Sequence, residues 1–385
     1  MDAFWDLPAP IKYAGGAFVI FGFLSFMVLV LTWLERKALA RIQQRIGPMR
    51  VGPYGTLQPI ADALKLVTKE DILPSWADKR VYWFAPLAVF IPSLLLWVTI
   101  PVAQGIVLRN LELGLFYITA FSVLSVLGLV MAGWGSANKY AILGGLRAAG
   151  QLISYEVPFI MGILGVAMLS QSLNIVDIVN DQAEAKIGNI IVQPLGLFIF
   201  FMAALAELGR TPFDIHHAES EVVGGPFVEY SGAHWSVFFL AEYMNTFTVA
   251  ALTTLLFLGG WRWPDMPFDG ALHTVLSVAW FMVKAYAVIL VIFWFRGTYP
   301  RLRIDQLMAF GWKVLVPLSF VNIVITAVAL FYGWHFLTIT IMSIVVLTAT
   351  LYAIRRRDGT PEQRMTVRVV SARDVRRVRP AVEVE

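Results

Sequence analysis

Cysteine is absent from the 385 residues. Thiolate-bound metals, iron–sulfur clusters and disulfide bridges are therefore excluded within this chain. Charge is scarce as well: Asp, Glu, Lys and Arg make up 15% of the sequence, against about 25% in an ordinary soluble domain. Histidine is rare, and the one close pair, His216-His217, is adjacent in sequence and cannot share a helix face, so no metal site is expected. What fills the space is apolar, 58% of the residues. A soluble core of this length cannot hide that much apolar surface, whereas a bilayer can, because lipid is itself an apolar solvent. Backbone polar groups find no water there, so only helices or a closed barrel cross it. The apolar runs are continuous rather than alternating, which selects helices. The expected fold is an all-α polytopic membrane bundle, with lipid as its surroundings and no nucleic-acid partner.

A crossing takes roughly 20 apolar residues. Runs of that kind cover 14–34, 81–101, 114–134, 154–174, 189–208, 236–258, 272–295, 314–332 and 336–354, about nine spans. Only the short turn 333–335 separates the last two, and a re-entrant pair there would leave eight or fewer. Residues 1–354 then form one transmembrane domain, with inside loops at 35–80, 135–153, 209–235 and 296–313 and a basic tail at 355–385. With nine spans, 25 of the 30 Lys and Arg fall on the side of those loops and the tail, and four fall opposite. That bias puts the N-terminus outside and the C-terminus in the cytoplasm.

Two inside loops are more than connections. In 35–80, Leu57, Ile60, Ala61, Leu64 and Val67 recur at helical spacing opposite Asp62, Lys65 and Lys69, the pattern of an amphipathic helix lying on the membrane surface. Upstream, Arg36, Arg41 and Arg45 stand beside Gly47-Pro48 and Gly52-Pro53-Tyr54-Gly55, whose glycines and prolines fix tight turns. In 209–235, Asp214, Glu219, Glu221 and Glu229 face a single Arg210, but Phe213, Ile215, Phe227 and Tyr230 are mixed among them, which suggests a packed loop rather than a solvated one. Ionisable residues also sit at membrane depth: Glu156, Glu207, Glu242 and Lys284. A charge at the centre of a bilayer costs about 2.5–3.5 kcal/mol on insertion scales, so such residues face a bundle interior and mark ion or proton paths. Lys284, central in its span, needs a partner.

Several long motifs carry a resemblance. They are 34–37 (Leu-Glu-Arg-Lys), Arg45-Ile-Gly47-Pro48 and the run from Val51 through Asp62 to Lys65. Further on come the stretch from Lys139 through Arg147 and Gln151 to Glu156, then Glu229-Tyr-Ser-Gly, Phe238 to Tyr243, Arg296 to Met308, and Gly311-Trp-Lys313. Over roughly 14–333 the chain resembles the H-subunit family of the proton-pumping NADH:quinone oxidoreductase, respiratory complex I, whose mitochondrial members are NADH dehydrogenase subunit one. The resemblance implies a bacterial inner-membrane subunit with no redox centre, walling a chamber for ubiquinone or menaquinone as substrate. It implies as partners the subunit with the terminal iron–sulfur cluster, the hydrogenase-like large subunit and small membrane subunits. It places Arg36, Arg45, Asp62, Lys65, Phe213 and Phe227 at the chamber. It assigns Glu156, Glu207, Glu219, Glu221 and Glu229 to a proton path, which the membrane-depth reading extends to Glu242 and Lys284, and it puts Arg296, Arg301 and Arg303 at the inside rim. The chain departs from the family pattern where His216-His217 replaces Pro-Glu, and where Glu207-Leu-Gly-Arg210 replaces Glu-Thr-Asn-Arg. Two other readings share these features: a cation or proton transporter using the buried carboxylates, and a quinone-independent subunit of a membrane-bound hydrogenase. The ordered basic loop 35–80, with the look of a docking surface for a soluble arm, favours the oxidoreductase over a transporter.

Overall fold

The computed structural model describes residues 9–215, 219–263 and 271–358. Among the described residues, twelve helices of seven or more residues carry the fold: α1 Ala9–Ile42, α2 Gln58–Thr68, α3 Lys79–Leu95, α4 Gly114–Gly135, α5 Lys139–Ser170, α6 Ile175–Glu184, α7 Pro194–Glu207, α8 Gly232–Phe257, α9 Ala271–Thr298, α10 Ile304–Phe310, α11 Val316–Phe331 and α12 Phe336–Asp358. Among the described residues there is no strand, only an isolated bridge between Ala103 and Ile106. Residues up to Ile344 form one unit; a second unit begins at Val345 and is helical to Asp358.

Among the described residues, seven helical segments are long and apolar enough to cross a membrane. Two more belong with the bundle for different reasons. Helix α7 has 14 residues, about 21 Å at 1.5 Å per residue, short of the ~30 Å hydrocarbon core. Its missing length is supplied by a one-turn helix, Asn189–Val192, broken from it at Gln193-Pro194. Helix α8 is long but carries Glu242, Asn245 and four threonines, so its hydropathy is lower. It tolerates them because protein rather than lipid surrounds it: every residue from Thr246 to Phe257 is buried. The last two apolar segments, Ile304–Phe331 and Phe336–Ile354, are each of spanning length.

Several helices run past the ends that hydropathy gives them. Helix α1 continues to Ile42, so Arg36, Lys37 and Arg41 are helical. Helix α5 starts at Lys139, which makes 139–153 helix rather than loop. Its start is fixed by Asn138, whose side chain accepts a hydrogen bond from the Tyr140 N–H at 3.0 Å. Asp78 does the same for α3, accepting from Arg80 N at 3.1 Å. Helices α10 and α11 join through a single π-helical turn, Gly311–Leu315, so the loop expected at 296–313 shrinks to 299–303. Hydropathy reports where lipid is, and a helix is free to leave the lipid.

The connections expected on the inside touch one another. The Asp78 N–H donates to Gly135 O (3.1 Å) and Leu302 N–H to Pro212 O (3.0 Å). Ile72 N–H donates to Ser231 Oγ (3.1 Å), and His234 lies against the Asp71 carboxylate. The acidic loop reaches α5 through a contact that only glycine permits. A Cβ on Gly144 would lie 2.4 Å from Gly225 Cα, so the Gly225–Phe227 turn rests on the helix backbone itself.

Gly144→Ala forces those backbones apart, and overpacking of this kind costs about 1–3 kcal/mol. The expected readout is earlier thermal unfolding of the detergent-solubilised protein. Gly150→Ala on the same helix, with nothing within 4 Å, is expected to be neutral or stabilising, since alanine exceeds glycine in a helix by about 1 kcal/mol.

Candidate functional site

The charged residues of the inner ends of α1, α8 and α9 and of the acidic loop converge. At the surface, Arg36 Nη1 donates to Asp62 Oδ2 at 2.5 Å, and Gln58 Nε2 donates to Asp62 Oδ1 at 3.1 Å. Asp62 sits on α2 and is held below the usual carboxylate range. Burial raises it, but the hydrogen bonds from Arg36 and Gln58 and the charges of Arg36 and Lys65 outweigh burial. A lowered carboxyl supports the folded state above its ordinary value of 3.8 and withdraws that support only as pH falls through the lowered one, so Asp62 stays ionised across the neutral range.

Arg36, Asp62 and Thr32 line one end of a groove of about 290 Å³ between α1, α2 and α8. The rest of its wall is mainly apolar, with Val28, Leu29, Leu66, Val67, Phe239 and Leu240 beside Ser25 and Ser236. Helix α2 turns Pro59, Asp62 and Leu66 toward this groove, keeps Val67 at its exposed edge, and leaves Leu57, Ile60 and Leu64 exposed outside it. Most of the apolar stripe expected from the sequence therefore faces away from this chain's own bundle.

Behind the groove lies the innermost charge cluster. Glu35 and Arg210 are 3% and 5% exposed. Arg210 Nη2 is 3.3 Å from Glu242 Oε1, and its Nη1 is 3.9 Å from Glu35 Oε1. Arg296 Nη1 contacts the same Glu35 oxygen. The Arg210 guanidinium lies over the Tyr243 ring at 4.7 Å, and Tyr243 packs on groove-lining Phe239 at 4.6 Å between ring centres. Burial lowers the Arg210 pKa, yet Glu242, Tyr243 and Asp214 raise it more, so the guanidinium stays above its ordinary value. Two cations thus meet two directly paired carboxylates, with Asp214 acting from further off, and such pairing is the condition for burying them.

From Glu242 a polar line continues into the bundle. One cavity of about 60 Å³ is lined by Glu242, Asn245, Glu207 and Ser125. A second, also about 60 Å³, is lined by Glu207, Asn245, Glu156, Ser122 and Thr248. Each has room for water, which needs about 10–15 Å³. Gln151 fixes the approach: its Nε2 donates to Ala206 O and to Phe213 O, both at 2.7 Å, tying the end of α7 and the acidic loop to α5. Two residues beyond Glu156, Pro158 has no N–H for the Ser154 carbonyl, which loosens the helix there.

The other expected site residues lie elsewhere. Glu221 pairs with Arg147 at 2.6 Å, and Glu229 accepts from Asn138 Nδ2 at 2.7 Å, so both brace the acidic loop against α5. Phe227 borders Glu242 in the first of these cavities and in a groove of about 320 Å³. Phe213 is fully buried between Tyr155 and Phe310 and lines neither. Arg45 donates to Gln43 at 2.7 Å on the surface, and Lys65 is exposed. The backbone N–H of Arg303 is capped by Gln306 at 3.2 Å, and Arg301 is exposed. Lys284 is not brought to the carboxylates. Its Nζ donates to the carbonyls of Leu258 (2.7 Å), Gly260 (2.8 Å) and Trp263, at the far end of α8, about 24 Å from Glu242 along the helix. His216, His217, the side chain of Glu219 and the tail beyond Asp358 lie outside the described residues. No group of three or more His, Asp or Glu suited to a metal occurs among the described residues. Sequence reasoning missed Glu35, Arg210 and Asn245 as site residues. The one available signal was Arg210's isolation as the sole cation among four acids.

Comparison with known proteins gives one consistent result. The sequence pattern of the family described as NADH dehydrogenase matches residues 16–327. The chain is 50% identical over 309 residues to the H subunit of NADH-quinone oxidoreductase from Dehalococcoides mccartyi, covering 80% of this chain and 84% of that protein. It is 48% identical over 319 residues to the protein of the same name from Geobacillus kaustophilus, covering 83% and 92%.

Removing Arg210 leaves two carboxylates, Glu35 and Glu242, against the single cation Arg296, and breaking a buried pair this way costs about 3–5 kcal/mol. Arg210→Gln is expected to lower thermal stability accordingly. Adding Glu35→Gln is expected to recover part of the loss, so a double-mutant cycle read by thermal unfolding should be less than additive.

Proposed function

The chain belongs to the NADH dehydrogenase family, and on that footing we propose that it forms the membrane wall of a quinone site and carries the charge change of quinone reduction into a buried carboxylate line. It is a membrane subunit of an NADH-quinone oxidoreductase, respiratory complex I, working with other subunits of that complex. The observation that carries the proposal is the continuity of charge from the groove at Arg36–Asp62, past Arg210, to Glu242, Glu207 and Glu156.

The groove suits an amphipathic substrate. Its apolar wall accepts an isoprenoid tail, and Arg36 with Asp62 offers a polar end for the ring. Reduction of a quinone takes up two electrons and two protons. The electrons come from partners, since a chain without cysteine cannot hold an iron–sulfur cluster of its own. Any change of charge at the ring is felt by the ion pairs behind it. At about 4 Å and an effective dielectric constant near 20, one unit charge is worth about 4 kcal/mol, enough to shift a local equilibrium by nearly three decades.

The line has two parts with different physics. Arginine does not give up its proton in proteins, so no proton passes through Arg210. That step is electrostatic: a charge change near Arg36 alters how Arg210 is shared between Glu35 and Glu242. Beyond Glu242 the groups are carboxylates that line common cavities with room for water, and there protons can move. In this reading the charged ends face the cytoplasm, where 25 of the 30 Lys and Arg fall.

Arg36→Ala, Glu242→Gln and Glu207→Gln are expected to lower NADH:quinone activity of isolated membranes at least tenfold. NADH oxidation by a hydrophilic artificial acceptor is expected to stay within a factor of two. Parallel loss of both activities would mean failed assembly, and full quinone activity in all three variants would contradict the role of the line.

A further inference from the structure

A second groove, on a different face of α1, is assigned no part in that reading. It measures about 490 Å³ and lies between α1 and Leu290 of α9. Trp33, Leu34 and Ala38 form its apolar wall on α1, and Lys37 and Arg41 stand at its inner end. The spacing of 33, 37 and 41 is one residue per helical turn, so indole and both cations share a stripe. Tyr54 also lines the groove, its carbonyl accepting from Trp33 Nε1 at 3.3 Å.

The charges here are unbalanced. Among the described residues, no acidic one lines the groove. Glu35, the acid nearest in sequence, is turned to Arg210 and Arg296. Arg36 is taken by Asp62, whereas Lys37 Nζ meets the Met49 sulfur at 3.0 Å and no carboxylate among the described residues. Arg41 is exposed. Two cations above an apolar trough, at the level where a helix leaves the bilayer, match a molecule with an anionic head and a hydrocarbon tail. The α9 side is open to such a molecule, since Leu290, Val291 and Trp294 are exposed. The first groove differs in this respect, because its Arg36 and Asp62 neutralise each other.

We propose that this groove binds an anionic glycerophospholipid, its phosphate between Lys37 and Arg41 and one acyl chain along Trp33, Ala38 and Leu290. The site is independent of the quinone reading, because it is read in bound lipid and not in turnover.

The test is the lipid retained by the full-length protein purified in its assembled complex. It is measured by mass spectrometry and by titrating the delipidated complex with phosphatidylglycerol or phosphatidylcholine vesicles. A surface cation contributes about fivefold to binding of an anionic lipid, so Lys37→Gln with Arg41→Gln is expected to weaken phosphatidylglycerol retention about 25-fold. Phosphatidylcholine retention is expected to be unchanged. Leu290→Trp, which fills the trough and keeps both cations, should also reduce phosphatidylglycerol retention. The charge-keeping exchange Lys37→Arg with Arg41→Lys, and Arg50→Gln outside the groove, should preserve it. Unchanged retention in both groove variants would overturn the assignment. So would equal loss of both lipids, displacement of the lipid by inorganic phosphate, or a segment of a neighbouring subunit cross-linking across the groove.

Discussion

A guanidinium cannot be neutralised and cannot be left alone in a low-dielectric interior. Arg210 is nearly inaccessible to solvent, and the surroundings are arranged to make that tolerable: Glu242 on α8, Glu35 on α1 and the Tyr243 ring meet it from three directions. Arg296 on α9 then balances the second carboxylate. Three helices of the bundle and the acidic loop are thus tied at one point by charges that are stable only together. The desolvation of such a cluster is barely offset by its attractions. It is therefore better suited to holding a poised arrangement than to adding stability.

The rest of the inner half keeps that point in place. Gln151 clamps α7 and the acidic loop onto α5 through two carbonyls. Glu229 and Glu221, which look like part of an acidic path, are engaged by Asn138 and Arg147 and hold the same loop down. Lys284 does comparable work at the opposite end of α8, where it satisfies carbonyls left unbonded at a helix C-terminus. Helix α8 is consequently fixed to α9 at both ends, by Lys284 directly and by Arg296 acting through Glu35 and Arg210. Its Glu242 and Asn245 sit on a rod with little freedom to drift.

Much of this was legible in the sequence, for identifiable reasons. Long uniform apolar runs mark lipid contact, so the spans were readable. Their ends were not, because residues such as Lys139 or Arg41 continue a helix beyond the lipid. Glu156, Glu207 and Glu242 stood out since carboxylates are costly at membrane depth, and the structure does line shared cavities with them. Glu35 was hidden inside a basic motif, where it looks like one more surface charge. Its burial depends on Arg210 and Arg296, far away in the chain. Lys284 stood out as needing a partner, but the sequence could not show that its partners are backbone carbonyls, which leave no trace in side-chain pattern. Asn245 gave no signal at all, being one polar residue among the threonines of α8.

The central claim is that a charge change at the groove reaches Glu242 through Arg210 without a proton passing through it. Infrared difference spectra of the assembled complex, recorded on quinone reduction, test this most directly. The account predicts a protonated-carboxyl band that disappears in Glu242→Gln and also in Arg210→Gln, even where the latter still reduces quinone slowly. A Glu242 band of unchanged amplitude in Arg210→Gln would contradict it.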